Sequence, residues 1–137
     1  MIKPESIIGY MEYLEMKNAI NWFEIPSTDF ARATAFYNTI LDVTLRVEVF
    51  GGIPNAVFSS SANDHSIVGG AVVHNPFFKP AANGVVPYIN ATGVLDAVLS
   101  RVEGAGGKVL MPKTDIGFGS IAIILDSEGN RVGLHSY

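Results

Sequence analysis

Residues 18–41, NAINWFEIPSTDFARATAFYNTIL, switch from one periodicity to another, and that switch decides the fold. Asn18 to Pro26 is apolar-rich and reads as a strand, with alternation placing Ile20, Trp22, Glu24 and Pro26 on one face and Asn21, Phe23 and Ile25 on the other. Ser27, Thr28 or Asp29 can then cap a helix whose apolar face carries Phe30, Ala33, Phe36, Tyr37 and Ile40. Further extended stretches follow at Val43–Phe50, around Asn55–Phe58 and at Ser66–His74, separated by the turn formers Gly51, Gly52, Pro54, Asn63 and Asp64. The order is strand, helix, strand, strand, strand.

After a loop rich in Pro, Phe, Ala and Asn at 75–84, the same order begins again. Val85–Ala91 reads as a strand, and GVLDAVLSRVEGAGG at 93–107 as a helix with Val94, Leu95, Val98, Leu99 and Val102 on its buried face and Gly104, Gly106 and Gly107 at its end. KVLMP, GSIAIILD and RVGLHSY supply three more strands, the last hairpin turning at Ser127–Asn130. Two βαβββ modules, about 18–75 and 84–137, therefore build one α+β domain. Their sheets can lie edge to edge and curve around a common cleft, where function would concentrate. Ahead of them, Met1–Lys17 carries Pro4, Glu5 and a helical spacing of Ile7, Ile8, Met11 and Leu14. It reads as a short amphipathic N-terminal helix that either docks on its own domain or meets a partner.

Composition narrows the function classes. With 9 Lys+Arg against 13 Asp+Glu, a net charge of −4 and 16% charged residues, the 137-residue chain has no cationic surface for nucleic acid. It has no Cys, which removes disulfides, thiolate metal sites and thiol catalysis. Glu5, Glu12 and Glu15 interrupt any export-signal core, and no apolar run reaches the ~20 residues that span a bilayer. A soluble cytoplasmic protein, without a membrane partner, is the expectation. No nucleophile elbow, HExxH helix, phosphate loop or dinucleotide fingerprint is present, and Gly69-Gly70 sit in a strand with no helix opening after them.

WFEIPSTDFARATAFY at 22–37, with VEGAGGKVLMPKTDIGFGSIAIILDSEGNRVGLHS at 102–136, resembles the vicinal oxygen chelate superfamily of glyoxalases, bleomycin-resistance proteins and extradiol dioxygenases. The likeness runs from about Asn18 to the C-terminus. It implies paired βαβββ modules around a cleft and a homodimer. In the metal-using members, His, Gln or Glu ligands come from the inward faces of the cleft strands. Carried over by spacing, those positions fall near Trp22, Val72 or Val73, Val86 and Gly133, none of which can donate to a metal. No cofactor is therefore expected, although a divalent metal at other positions stays open.

The candidate site residues follow. By the resemblance, Trp22 and Glu24 face the cleft. The single Trp offers a stacking wall, and an acid in apolar surroundings could be a general base, unless it pairs with Arg46 or Arg131. His135 shares a strand face with Arg131 and Gly133, so Glu24 with His135 is the candidate catalytic pair, with His74 close by. Phe58, Val73, His74, Tyr88 and Phe118 complete the ligand-binding wall, Phe118 as the tip of a loop, PKTDIGFG, that could cover the cleft. The first reading is a glyoxalase/bleomycin-resistance-like protein that binds a small organic molecule in an apolar cleft without metal. The alternative is a lyase, isomerase or dioxygenase-like enzyme using Glu24 and His135 as acid and base, or with Glu24, His74 and His135 as relocated metal ligands.

Overall fold

The computed structural model describes residues 15–60 and 63–137. The first module contains β1 (Trp22–Pro26), α1 (Phe30–Leu41), β2 (Arg46–Phe50), β3 (Ile53–Ser59) and β4 (Gly69–Val73). The second contains β5 (Tyr88–Asn90), α2 (Leu95–Val102), β6 (Lys108–Asp115), β7 (Ser120–Leu125) and β8 (Arg131–Ser136). Each module is one four-stranded sheet, ordered β1-β4-β3-β2 and β5-β8-β7-β6. In both, the first strand runs parallel to the last and the other pairings are antiparallel. This is the expected pair of βαβββ units, and it leaves β1 and β5 as sheet edges.

Local chemistry sets the boundaries. Of the three possible caps, Asp29 takes the role: its backbone is extended and its carboxylate accepts from Arg32 N–H at 3.0 Å. At the other end Asp42 adopts the left-handed conformation, φ 54°, and its N–H bonds the Asn38 and Thr39 carbonyls. That is a C-cap more often filled by Gly. Strand β5 is only three residues long, against the seven of Val85–Ala91, because Pro87 has no N–H to donate to a ladder. Strand β6 runs on to Asp115, with Thr114 opposite Ile121 and Asp115 opposite Ser120. Lys113–Asp115 are thus strand rather than loop, and the connection shrinks to Ile116–Gly119. Of the expected N-terminal helix over Met1–Lys17, residues 1–14 lie outside the described residues, and residues 15–17 are not helical. Among the described residues no helix is long and apolar enough to cross a membrane.

One apolar core serves both modules. Phe36, Ile40 and Ala33 of α1 and Leu95, Val98 and Val102 of α2 meet Ile25 and Val72 from the first sheet and Ile89, Ile124, Val132 and Leu134 from the second. Each fully buried large aliphatic or Phe side chain here contributes roughly 1.5–3 kcal/mol of transfer free energy.

A polar seam fastens the modules at one end of α1. The buried Tyr37 hydroxyl donates to Asp126 Oδ2 at 2.7 Å, and Asn130 Nδ2 donates to the same oxygen at 3.0 Å and to the Pro26 carbonyl at 2.8 Å. Burial, then the Asp126 charge, pushes the Tyr37 phenol well above its ordinary pKa, so it stays a donor. Next to it, the covered carboxylate of Glu128 accepts from the Thr28 and Asp29 N–H groups at 2.9 and 2.8 Å and from Arg32 Nε at 2.7 Å. It thereby places an anion at the positive end of α1.

Burial alone would raise the pKa of Glu128. The bonds from Arg32, Asp29, Ser127 and Thr28 outweigh burial and hold it down at about 2, against an ordinary 4.5. The unfolded chain therefore binds the proton first, and this group's contribution to stability is complete above about pH 4.5 and is lost as pH falls toward 2. Thermal melts between pH 6 and pH 3 should show a shallower acid-side loss of Tm in Glu128→Gln than in the parent chain; equal slopes would remove Glu128 as the origin.

Candidate functional site

A cavity of about 550 Å³ opens between the two modules. The first module lines it with Phe23 of β1, Leu41 and Val43–Leu45 after α1, Val57–Ser59 of β3 and Val68. The second contributes Tyr88, Ile89 and Asn90 of β5. It lies between strands that are both sheet edges, which explains why no ladder closes it.

A β-bulge shapes one wall. The register of β3 against β4 shifts between Val57 and Ser59, and Phe58 is the extra residue. Its ring stacks on Phe23 at 5.7 Å between centroids and meets Tyr37 edge-on at 5.3 Å. Phe23 itself lies across Gly70, its register partner on β4, where any Cβ would overlap the ring. The neighbouring pair repeats this on the other face: Trp22 covers Gly69. The second module has the equivalent pair, Tyr88 over Gly133. Three rings thus occupy space that side chains on the paired strand would otherwise take.

Of the residues expected to form the site, Phe58 and Tyr88 line this cavity. Trp22 and Glu24 are on the opposite face of β1, where the indole N–H donates to the Glu24 carboxylate at 3.0 Å. Glu24 borders a separate cavity of about 70 Å³ together with Arg131 and Asn130. It has no ion pair with Arg46, which is engaged by Glu48, or with Arg131. His135 stands four residues along β8 from Arg131, roughly 13 Å at strand rise, and its ring contacts Tyr137 at 4.6 Å. Glu24 and His135 are thus engaged by different neighbours, Trp22 and Tyr137. Val73 is buried against Val57 and Ala71, and Phe118 is exposed at the β6–β7 tip. His74 Nδ1 lies 2.9 Å from the Ser27 carbonyl, an acceptor only, so Nδ1 carries the proton and the ring is tied to the chain there.

The residues missed by sequence reasoning are Phe23, Leu41, Val43–Leu45, Val57, Ser59, Val68, Ile89 and Asn90. The signal for Phe23 was present: it alternates with Trp22, and Gly70 sits opposite it.

The family's metal does not fit these strands. Trp22 pairs with Gly69 and Tyr88 with Gly133, while Val86 lies ahead of β5. Of the two β4 candidates, Val72 points into the helix-side core and Val73 to the other face. The Trp, Val and Gly side chains at the carried-over positions are not metal donors, and among the described residues no three His, Cys, Asp or Glu converge on one point, Glu24, His74 and His135 included.

With the geometry in place, kinship can be stated. The sequence pattern of the Glyoxalase/Bleomycin resistance protein/Dioxygenase superfamily matches residues 19–134, and the chain belongs to that family. Its fold is shared with a glyoxalase/bleomycin resistance protein from Albidiferax ferrireducens T118, at TM-score 0.68 and 14% identity over 88% of this chain and 99% of that one. The fosfomycin resistance protein FosX from Listeria monocytogenes gives 0.59 and 13% over 89% and 93%. In sequence, the anthracycline biosynthesis protein DauV of Streptomyces sp. (strain C5) is 30% identical over 118 residues, covering 79% of this chain. The chain spans only 43% of that relative's length.

The ring-over-glycine pairs make a differential prediction. Phe23 is held between Phe58 and the core, so Gly70→Ala should cost about 2–3 kcal/mol by overpacking. Tyr88 is half exposed and can swing out, so Gly133→Ala should cost about 1 kcal/mol or less. Urea denaturation of the two variants decides it; equal losses would mean that Phe23 is no more confined than Tyr88.

Proposed function

We propose that this chain binds a small organic molecule in the cavity between its modules, without the metal used by the chelating members of its family. One observation carries the reading: the twelve lining residues include no Asp, Glu, His, Lys or Arg. A volume of about 550 Å³ with apolar walls and a few polar groups matches what small-molecule sites offer. Such a lining supplies shape and desolvation, and no carboxylate or imidazole to act as general base or metal ligand. The names of two similar proteins, one for anthracycline biosynthesis and one for fosfomycin resistance, also point to small organic molecules.

Two titrations test this. The uncharged dye N-phenyl-1-naphthylamine should bind one-to-one with enhanced fluorescence, and Val68→Arg, which puts a charge on a partly exposed wall, should weaken it about tenfold or more. Calorimetry of chelator-stripped protein with Ni, Zn, Mn, Fe(II) and Mg should give no stoichiometric heat. Tight metal binding lost in Glu24→Ala or His135→Ala, or dye binding indifferent to Val68→Arg, would overturn the proposal.

We also read the chain as a homodimer, as the family resemblance suggests. Phe77 and Phe118 stand 88% and 74% exposed, an unusual state for Phe in a lone chain. Light scattering should return twice the 14.7 kDa chain mass; a monomer at micromolar concentration would refute the dimer.

A further inference from the structure

Resting on that binding reading, we infer that the ligand is an uncharged, ring-bearing molecule that presents an oxygen acceptor to the β5 wall of the cavity. No Asp, Glu, His, Lys or Arg lines the cavity. Arg46, which follows the lining residue Leu45, is already paired with Glu48. An anion entering the cavity would leave water and meet no cation, and a cation would meet no carboxylate on the walls.

The polar groups that remain fix what the ligand must offer. Asn90 Oδ1 accepts from the Thr92 backbone N–H at 3.0 Å. A backbone N–H can only donate, so the orientation of the Asn90 amide is settled and its NH₂ group has no partner among the described residues. The Ser59 hydroxyl is committed, donating to the Val68 carbonyl at 2.7 Å. The Tyr88 hydroxyl has no partner among the described residues, and it lines the same wall two positions from Asn90. The free capacity on β5 is thus one amide donor and one hydroxyl, which suit a carbonyl, ether or hydroxyl oxygen.

The flat surfaces fix the rest. Phe23 and Phe58 are stacked with 23° between their planes, and Tyr88 is laid down across Gly133. Planar walls favour a planar ligand, because ring contact gains area at small entropic cost.

Equilibrium dialysis against three probes of one ring system tests the inference: 2-methyl-1,4-naphthoquinone, 2-methylnaphthalene and 1,4-naphthoquinone-2-sulfonate. The chain has no Cys to add to the quinones. The neutral quinone should bind one-to-one, the hydrocarbon about fivefold or more weaker for want of the acceptor, and the sulfonate about tenfold or more weaker for its charge. Asn90→Asp keeps the bond from Thr92 but replaces the amide donor, and should reduce the preference of quinone over hydrocarbon while leaving hydrocarbon binding in place. Equal binding of sulfonate and neutral quinone would overturn the uncharged class, and equal binding of quinone and hydrocarbon would overturn the acceptor; both leave the cavity reading intact. Failure of all three probes, with N-phenyl-1-naphthylamine also unbound, would remove the cavity reading itself.

Discussion

A phenol buried without water must find its partner inside the protein, and the Tyr37 hydroxyl finds it in the other module. Leaving that group unpaired would cost about 1–3 kcal/mol. That cost vanishes only when α1 and the β7–β8 turn meet in one geometry. Asp126 also holds the turn, accepting from the Glu128 and Asn130 N–H groups at 2.9 Å each. That turn in turn delivers Glu128 to the α1 N-terminus and Asn130 to the Pro26 carbonyl. The apolar core supplies most of the driving force for joining the modules, but apolar contact is non-directional. The angle between the modules, and hence the width of the gap between β1 and β5, is set by these hydrogen bonds.

The fold was legible because periodicity and punctuation agreed at nearly every element. Ala33, Phe36, Tyr37 and Ile40 are all buried, as their spacing requires, and Val98 and Val102 repeat this on α2. The family resemblance, carried by residues 22–37 and 102–136, made the same assignment. What was not legible were effects of pairing. Lys113–Asp115 look like a loop because Pro112 precedes them and two glycines follow, yet β7 supplies a partner and they extend. Tertiary pairing outranks local composition there. Asp42 in the left-handed region carries no sequence mark of the kind a Gly would leave.

Alternation along β1 was read as the structure has it: Trp22 and Glu24 share one face, and Phe23, on the other, borders the cavity of about 550 Å³. The Val57–Ser59 bulge then turns Phe58 toward Phe23, which strict alternation could not foresee. Phe58 was named as a wall residue and does line the cavity. Polar residues attract attention in sequence because chemistry needs them, whereas a cavity defined by uncharged walls has no such marker.

The seam's asymmetry along α1 has a consequence for traffic. The twelve-residue helix spans about 18 Å, with Glu128 fastened at its start, Asp126 fastened to Tyr37 two turns further on, and the cavity open beyond its finish, at Leu41–Leu45. At that far end the hydrogen bond joining the modules is the one from Arg101 Nη1 to the Ile40 carbonyl, at 3.1 Å. The molecule is built like a clipped folder, secured along one margin and loose-leaved along the other. A guest can slip in from the loose margin while every clasp on the bound one stays shut, so residence in the gap need not trade against the integrity of the join.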